Sequence, residues 1–314
     1  MVETHYKIKN APRIALLADF HNGNPDLIIS SLRRHDIDLI AIAGDVIYGS
    51  QPKDDKSPLD TQENVAALLR SCASIAPTYM SLGNHEWMLD DEDLQRITDA
   101  GVVVLDNGWT KTDIKTPDGK PVIIGGLTSG YVLEYRRFKE ALNEANNTAH
   151  MTSNPGIADP GTADPGVADK TNLSPSTALS DEAVRYPMRP RRSVGNPTEG
   201  LREAILTPSI SWLSEFAAAE GTKLLLSHHP SYHSFVPGSV DLILAGHLHG
   251  SQWRYYSFIH HEWRGVFNPD ERWFPRYSKG LYENGRLVIS AGLSNTTWIP
   301  RINNPTEIVY INCG

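Results

Sequence analysis

Carboxylate, imidazole and amide groups recur in five short patches of this chain: Asp19-Phe20-His21, Gly44-Asp45, Gly83-Asn84-His85-Glu86, His228-His229-Pro230 and Gly246-His247-Leu248-His249. Each follows a short apolar run, at Ile14 to Ala18, Leu39 to Ala43, Thr78 to Leu82, Lys223 to Leu226 and Leu242 to Ala245. Such runs read as buried strands. The patches therefore fall where strands give way to loops, the place where open α/β sheets gather their sites. A single Asp-x-His is weak evidence, because a loop histidine is more often solvated or a cap. Five patches in order, each at a strand end, make coincidence improbable. Mixed imidazole, carboxylate and amide-oxygen donors suit Mn, Fe or Zn better than Ca or Mg, which prefer all-oxygen shells. Two such ions about 3.5 to 4 Å apart can clamp a phosphate group and lower the pKa of a bridging water. A ligand shared by both ions should be a carboxylate, and Asp45 is the candidate because Gly44 permits a sharp turn just before it.

The elements that must carry these groups alternate. From Arg13 to about Val104 the pattern gives strands at Ile14, Leu39, Thr78 and Val102. Helices separate them at about Pro25 to His35, Gln62 to Ala73 and Asp91 to Asp99. A further strand is expected over Val122 to Leu127, a helix-like stretch over Leu133 to Asn146, and a helix near Ser209 to Ala219. Strands then follow at Lys223, Asp241, Arg286 and Glu307. The last two, Arg286 to Ser290 and Glu307 to Ile311, are rich in β-branched residues and are expected to pair within a second sheet. The fold class is α/β (α+β), a four-layer sandwich of two mixed sheets flanked by helices.

At 314 residues the chain can bury one large core, and the span of the motifs favours a single domain, 1–314. Cys72 and Cys313 cannot form a disulfide framework and read as reduced thiols in a cytoplasmic protein. The amino-terminal residues contain no apolar core of a signal peptide, and no stretch approaches the ~18 apolar residues of a membrane span. A formal charge of -8 argues against broad nucleic-acid binding, which draws on Lys and Arg. Two divalent cations would reverse the local sign around Asp19 and Asp45, so an anionic phosphate ester is still a fitting partner.

The ordered set Asp-x-His, Gly-Asp, Gly-Asn-His-Glu, a later His and Gly-His-x-His resembles the calcineurin-like metallophosphoesterase family, over Asp19 to His249. The resemblance implies two divalent transition-metal ions. One would take Asp19, His21, Asp45 and His249, and the other Asp45, Asn84, His228 and His247, with Asp45 bridging. It also implies hydrolysis of a phosphodiester or phosphomonoester by attack of a metal-bridging hydroxide, with no covalent intermediate. His85 would stand off the metals, as transition-state stabiliser or general acid. Glu86 would orient His85 or its neighbours. Chemistry alone leaves His228 and His229 equivalent; the His-x-Pro spacing of the family favours His228, and makes His229 structural or substrate-facing. The later runs Gly246 to Gln252, Ser290 to Ser294 and Pro300 to Ile308 resemble the bacterial YkuE-like branch, whose members include membrane-associated phosphodiesterases and lipid pyrophosphatases. That points to a small-molecule or lipid-linked phosphate ester. Two rivals stand beside this reading, a non-catalytic scaffold and a nuclease of the same fold. The complete ligand set opposes the first and the acidic balance the second.

Two stretches are open. From about Ala149 to Gly200 the composition turns to Pro, Gly, Ala, Ser and Asp, with Ala158-Asp-Pro-Gly161 nearly repeated at Ala163 to Gly166 and Arg185, Arg189, Arg191 and Arg192 at its close. It reads as a surface insertion, or else as a lid. Trp253 to Tyr277 is rich in aromatics, and is expected to be a hairpin covering the core, the alternative being a rim that grips an organic leaving group.

Overall fold

The computed structural model describes residues 1–48, 57–137, 140–141, 208–268, 270–295 and 299–314. Both the insertion at 149–200, with its four arginines, and the far end of the expected helix over 133–146 lie outside the described residues. Residues 130–137 are helical.

In the first sheet β1 (Val2–Ile8) and β2 (Ile14–Leu17) are joined by β3 (Leu39–Ala43), β4 (Thr78–Ser81) and β5 (Val102–Leu105). The second sheet holds β6 (Gly108–Lys115), β7 (Pro121–Leu127), β8 (Thr222–Ser227) and β9 (Leu242–Ala245). Two small hairpins follow, β10 (Arg254–Ser257) with β11 (Glu262–Gly265), and β12 (Phe267–Asn268) with β13 (Arg272–Trp273). The chain returns to the second sheet with β14 (Gly280–Tyr282) and β15 (Leu287–Ile289), and ends in β16 (Glu307–Cys313). The strand orders are β1-β16-β2-β3-β4-β5 and β14-β15-β9-β8-β7-β6. Strands β2 to β5 run parallel, as do β7, β8, β9 and β15. Both sheets are mixed, as expected.

Strand periodicity divides the apolar residues between layers. Leu39, Ala41 and Ala43 of β3 point into the core between the sheets, where they join Leu224 and Leu226 of β8 and Leu242 and Leu244 of β9. Ile40 and Ile42 point the other way, onto α1 (Asp26–Leu32), α3 (Glu63–Ile75) and α4 (Asp91–Asp99), which follow and precede the short α2 (Pro58–Thr61). Apolar residues on both faces explain why these strands read as continuous hydrophobic runs. Val65, Leu68, Leu69 and Cys72 give α3 its buried stripe. Asp90 caps α4 by accepting the Asp93 N–H, and three acids occupy its first turn. On the far side Leu225 and Ile243 meet Leu213 and Phe216 of the helix Leu213–Ala218.

One strand pairing expected above is overturned. β15 and β16 do not pair: β15 lies between β14 and β9 in the second sheet, and β16 is inserted between β1 and β2 in the first. β-branched composition marks both as strands but carries no sheet address. The address comes from the crossing between them, where Leu293 N–H donates to Ala18 O and Ser294 N–H to Asp19 O. The Glu307 carboxylate, fully buried, then accepts from the Ala291 backbone and the Lys279 ammonium at the head of β16.

The aromatic stretch also departs from expectation. Phe258 and Ile259 at the β10–β11 turn are 81% and 86% exposed, and Trp263, Trp273 and Phe274 are exposed as well, so the hairpins do not cover the core, whereas Tyr277 at the end of the stretch is buried in it. Short two-stranded arms have no second layer to pack against.

Candidate metal centre

All five patches meet at one end of the two sheets. Asp19, His21, Asp45, Asn84 and His85 leave β2, β3 and β4 of the first sheet, and His228, His247 and His249 leave β8 and β9 of the second. Five of these residues, Asp19, His21, Asp45, His247 and His249, have positive φ between 46° and 70°. L-residues enter that region at a cost of roughly 1 to 3 kcal/mol each, and such strain gathers at functional sites. Glycines make the approach possible. Gly44 has φ 77°, and a Cβ on it would lie 2.6 Å from the Gly83 nitrogen; one on Gly83 would lie 2.3 Å from Asp45 Oδ1.

The first-sheet loops are held by one side chain. Glu86, fully buried, accepts backbone N–H groups from Asp45 (2.8 Å), Val46 (2.8 Å), Ile47 (3.3 Å) and Gly83 (2.7 Å). Burial and the neighbouring Asp45 carboxylate push Glu86 up to about 7, against the pull of those donors. Its role is to frame the loops. The His85 N–H in turn donates to Asp45 Oδ1 at 2.9 Å.

The imidazoles are aimed by what stands behind them. His21 Nδ1 donates to Ile47 O at 3.1 Å and His228 Nδ1 to Ala43 O at 2.7 Å, so both present Nε2 to the interior. His21 Nε2 is buried without a hydrogen-bond partner, 3.9 Å from Asp19 Oδ1 and 3.7 Å from Asp45 Oδ2. His228 Nε2 lies 3.0 Å from Asp45 Oδ2 and 3.1 Å from Asn84 Oδ1. His249 Nε2 is 3.6 Å from Asp19 Oδ1, and its Nδ1 meets an Arg301 guanidinium nitrogen at 3.2 Å. His247 gives Nε2 to Asp270 Oδ1 at 2.9 Å, while its backbone N–H donates to both Asp19 oxygens.

The charges follow. Burial would raise Asp45, but His228, His85 and His21 outweigh it and hold the carboxyl well below the usual range. Burial likewise opposes charge on His228, and Asp45 and Asp19 overcome it, raising the group to about 10. Burial pushes His21 and His249 down to about 3, with Arg301 adding to the effect on His249.

These donors fit divalent metal. Ligands about 2.0 to 2.2 Å from an ion stand roughly 3 to 3.5 Å apart, close to the separations above and too long in several cases for hydrogen bonds. Asp19, His21 and His249 form one convergent group, and Asp45, His228 and His247 another. Asn84 joins the second through His228, and His85 stands beside Asp45 and His21. His228 faces inward, and His229 turns its Nε2 to Ser129 at 2.8 Å in a fully buried position. Another group, Glu3, His5 and His35, lies on the outer edge of the first sheet. There Arg34 and Ser31 already donate to Glu3, so the cluster reads as a surface ion-pair network.

Sequence reasoning missed Asp270 and Arg301 as neighbours of the imidazoles. The turn signal Asn268-Pro269-Asp270-Glu271 between aromatic runs predicts a loop there, though nothing in it points to His247.

No curated protein matches the chain. The model of a known family does match, over residues 12–251, the stretch that carries every one of the converging donors named above; Asp270 and Arg301 lie beyond it. Its members generally hydrolyse phosphoesters with the aid of divalent metal ions, and the chain belongs to this family, the calcineurin-like phosphoesterases.

Proposed function

We propose that the chain is a binuclear metal-dependent phosphoesterase. The observation that carries the reading is the position of Asp45, whose Oδ2 lies 3.7 Å from His21 Nε2 and 3.0 Å from His228 Nε2, between the two convergent groups. Asp45 would be shared, with Asp19, His21 and His249 on one side and Asn84, His228 and His247 on the other. When bound, divalent ions of the Mn, Fe or Zn kind supply charge neutralisation for phosphoryl oxygens and a lowered water pKa. The chain's own residues do the rest. Glu86 fixes the loops from which Asp45 and Asn84 project, so these two donors are held in place in advance. His85, partly exposed beside Asp45, would hold the proton for the departing oxygen. Tyr48, exposed and stacked near His85, would form one wall of the substrate cleft.

The finer reading is a phosphate ester with an apolar or lipid-linked leaving group, in line with the resemblance of residues 246–308 to the YkuE-like branch. The exposed Phe267 and Trp273 support it, since they flank the turn that brings Asp270 to His247. We read 1–314 as one domain bearing the insertion at 149–200, an arrangement supported by the core the two sheets share. A cytoplasmic setting is supported by the two unpaired thiols, Cys72 buried and Cys313 exposed. No helix among the described residues is long and apolar enough to cross a membrane.

The test is a screen of phosphodiesters, phosphomonoesters, nucleotides and pyrophosphates, including lipid-linked ones, with Mn-, Fe- and Zn-loaded protein. Hydrolysis of at least one class, abolished by chelation, is expected. No turnover of any class with any of the three metals would hand the chain to the non-catalytic scaffold reading.

A further inference from the structure

The turn between β12 and β13 reaches back to the candidate metal centre. We propose that Asp270 is a positioning residue for His247: its carboxylate accepts a hydrogen bond from Nε2–H, which keeps the proton on Nε2 and leaves Nδ1 as the nitrogen that turns to a cation. The inference rests on the binuclear reading given above. It concerns a residue that lies beyond the matched stretch 12–251.

Three observations carry it. The contact is short, 2.9 Å from Nε2 to Oδ1, and nearly enclosed, the two side chains being 12% and 9% exposed. A carboxylate with so little water around it needs a donor, and the imidazole N–H is that donor. The turn that presents Asp270 is braced independently of the centre. Asn268, 1% exposed, donates its amide to Tyr277 O at 2.9 Å and accepts the Glu271 N–H at 2.7 Å; the Glu271 carboxylate accepts the Tyr277 N–H at 3.0 Å. Asp270 is thus delivered by a built loop.

The third observation is the parallel with the other imidazoles. His21 and His228 each donate one ring N–H to an oxygen behind them and keep the other nitrogen for the interior. Those oxygens are backbone carbonyls at the end of β3 and in the loop that follows it. His247 has the same arrangement with a carboxylate in place of the carbonyl, and a charged acceptor raises the basicity of the ring more than a neutral one does. The backbone N–H of His247 already donates to Asp19, so both ends of the residue are tied, one to each side of the site.

The experiment titrates the metal-free full-length protein with Mn2+ by calorimetry. Wild type should bind two ions. Asp270→Ala should weaken one of them by ~10- to 100-fold and spare the other, the usual consequence of removing a carboxylate behind a ligating histidine. Asp270→Asn keeps an acceptor oxygen without the charge and should fall between. Nitrogen-15 imidazole spectra of the metal-free protein should show the His247 proton on Nε2 in wild type and lose that preference in Asp270→Ala. A purely structural role would not move that tautomer. Glu271→Gln, whose side-chain oxygen can still accept the Tyr277 N–H, removes the neighbouring charge while keeping the brace and should leave both isotherms as they are. If Asp270→Ala does not fold, Asp270→Asn carries the test through its intermediate affinity and its ring shifts. Two wild-type ions with an unchanged isotherm in the Asp270 variants would overturn this proposal alone. Equal losses in Ala and Asn with an unmoved His247 ring would also overturn it, by making Asp270 itself a ligand. Fewer than two ions in wild type would overturn the binuclear reading and this inference together.

Discussion

The two sides of the site are built differently. The first sheet supplies both carboxylates and the amide, Asp19, Asp45 and Asn84, and a single buried Glu86 ties the loops of Asp45 and Asn84 together through four backbone N–H groups. The second sheet supplies only imidazoles, and each is aimed by its own partner: His228 by Ala43 O, His247 by Asp270, His249 by Arg301. A shared frame makes the charged side rigid as a unit. Separate partners make the imidazole side adjustable residue by residue. Within the Gly-His-Leu-His run the difference sharpens further, because Asp270 accepts a hydrogen bond from His247 whereas Arg301 can only donate one. His249, kept neutral by burial, must meet Arg301 with a bare Nδ1, which puts its proton on Nε2, toward Asp19. On the reading proposed above, a cation held at Nε2 would require the opposite tautomer, which the Arg301 contact at Nδ1 opposes.

The comparison predicts that the charged side bears the largest effects. Asp45→Asn should lower turnover beyond ~10⁴-fold, more than about 5 kcal/mol of activation free energy, and should weaken both ions in a metal titration. A loss confined to one ion would mean that Asp45 is not shared.

His85→Asn comes next, at ~10² to 10⁴-fold, the span of general acid catalysis, with both ions retained. The loss should be greater on alkyl esters than on nitrophenyl esters, whose leaving group departs without a proton. Equal losses would reject the acid role, and loss of an ion would make His85 a ligand, as its place with His21 and Asp45 allows.

Glu86→Ala tests the shared frame without touching a donor. Four buried N–H groups would lose their acceptor, at a cost of about 3 to 5 kcal/mol in denaturant unfolding of the metal-free protein. A change under about 1 kcal/mol would show that the loops hold themselves.

The smallest effect has the opposite sign. Arg301→Gln replaces an obligate donor with a side chain that can accept from His249 Nδ1–H, and should tighten one ion by up to ~10-fold. Weaker binding would mean that Arg301 supports the ring through its bonds to Ala291 O and Ser294 O and that the tautomer conflict has no consequence.

What was legible in the sequence divides along the same line. Donors at strand ends could be placed because the apolar runs before them, such as Leu39 to Ala43, announce a strand, and the residues just after a strand can go nowhere but the sheet's end. Glycine at 44 announced the turn that aims Asp45. The partners behind the imidazoles could not be placed. Asp270 and Arg301 are single charged residues in loops, and only the hairpin arms and the crossing from β15 to β16 bring them to His247 and His249. That crossing also defeated the expected pairing of β15 with β16, since local composition says strand without saying which sheet. The aromatic hairpins depart from expectation for a related reason. Aromatic content argues for packing only where a layer exists to pack against, and Phe258 and Ile259 have none.

The central claim is that hydrolysis needs two ions held between the two sides. The most direct measurement strips the full-length protein of metal, verifies this by elemental analysis, and follows hydrolysis of an aryl phosphodiester as Mn2+ is returned in measured equivalents. The account predicts no turnover above background in the stripped protein and recovery that is complete only near two equivalents per chain. Full turnover in protein shown to be free of metal would contradict it.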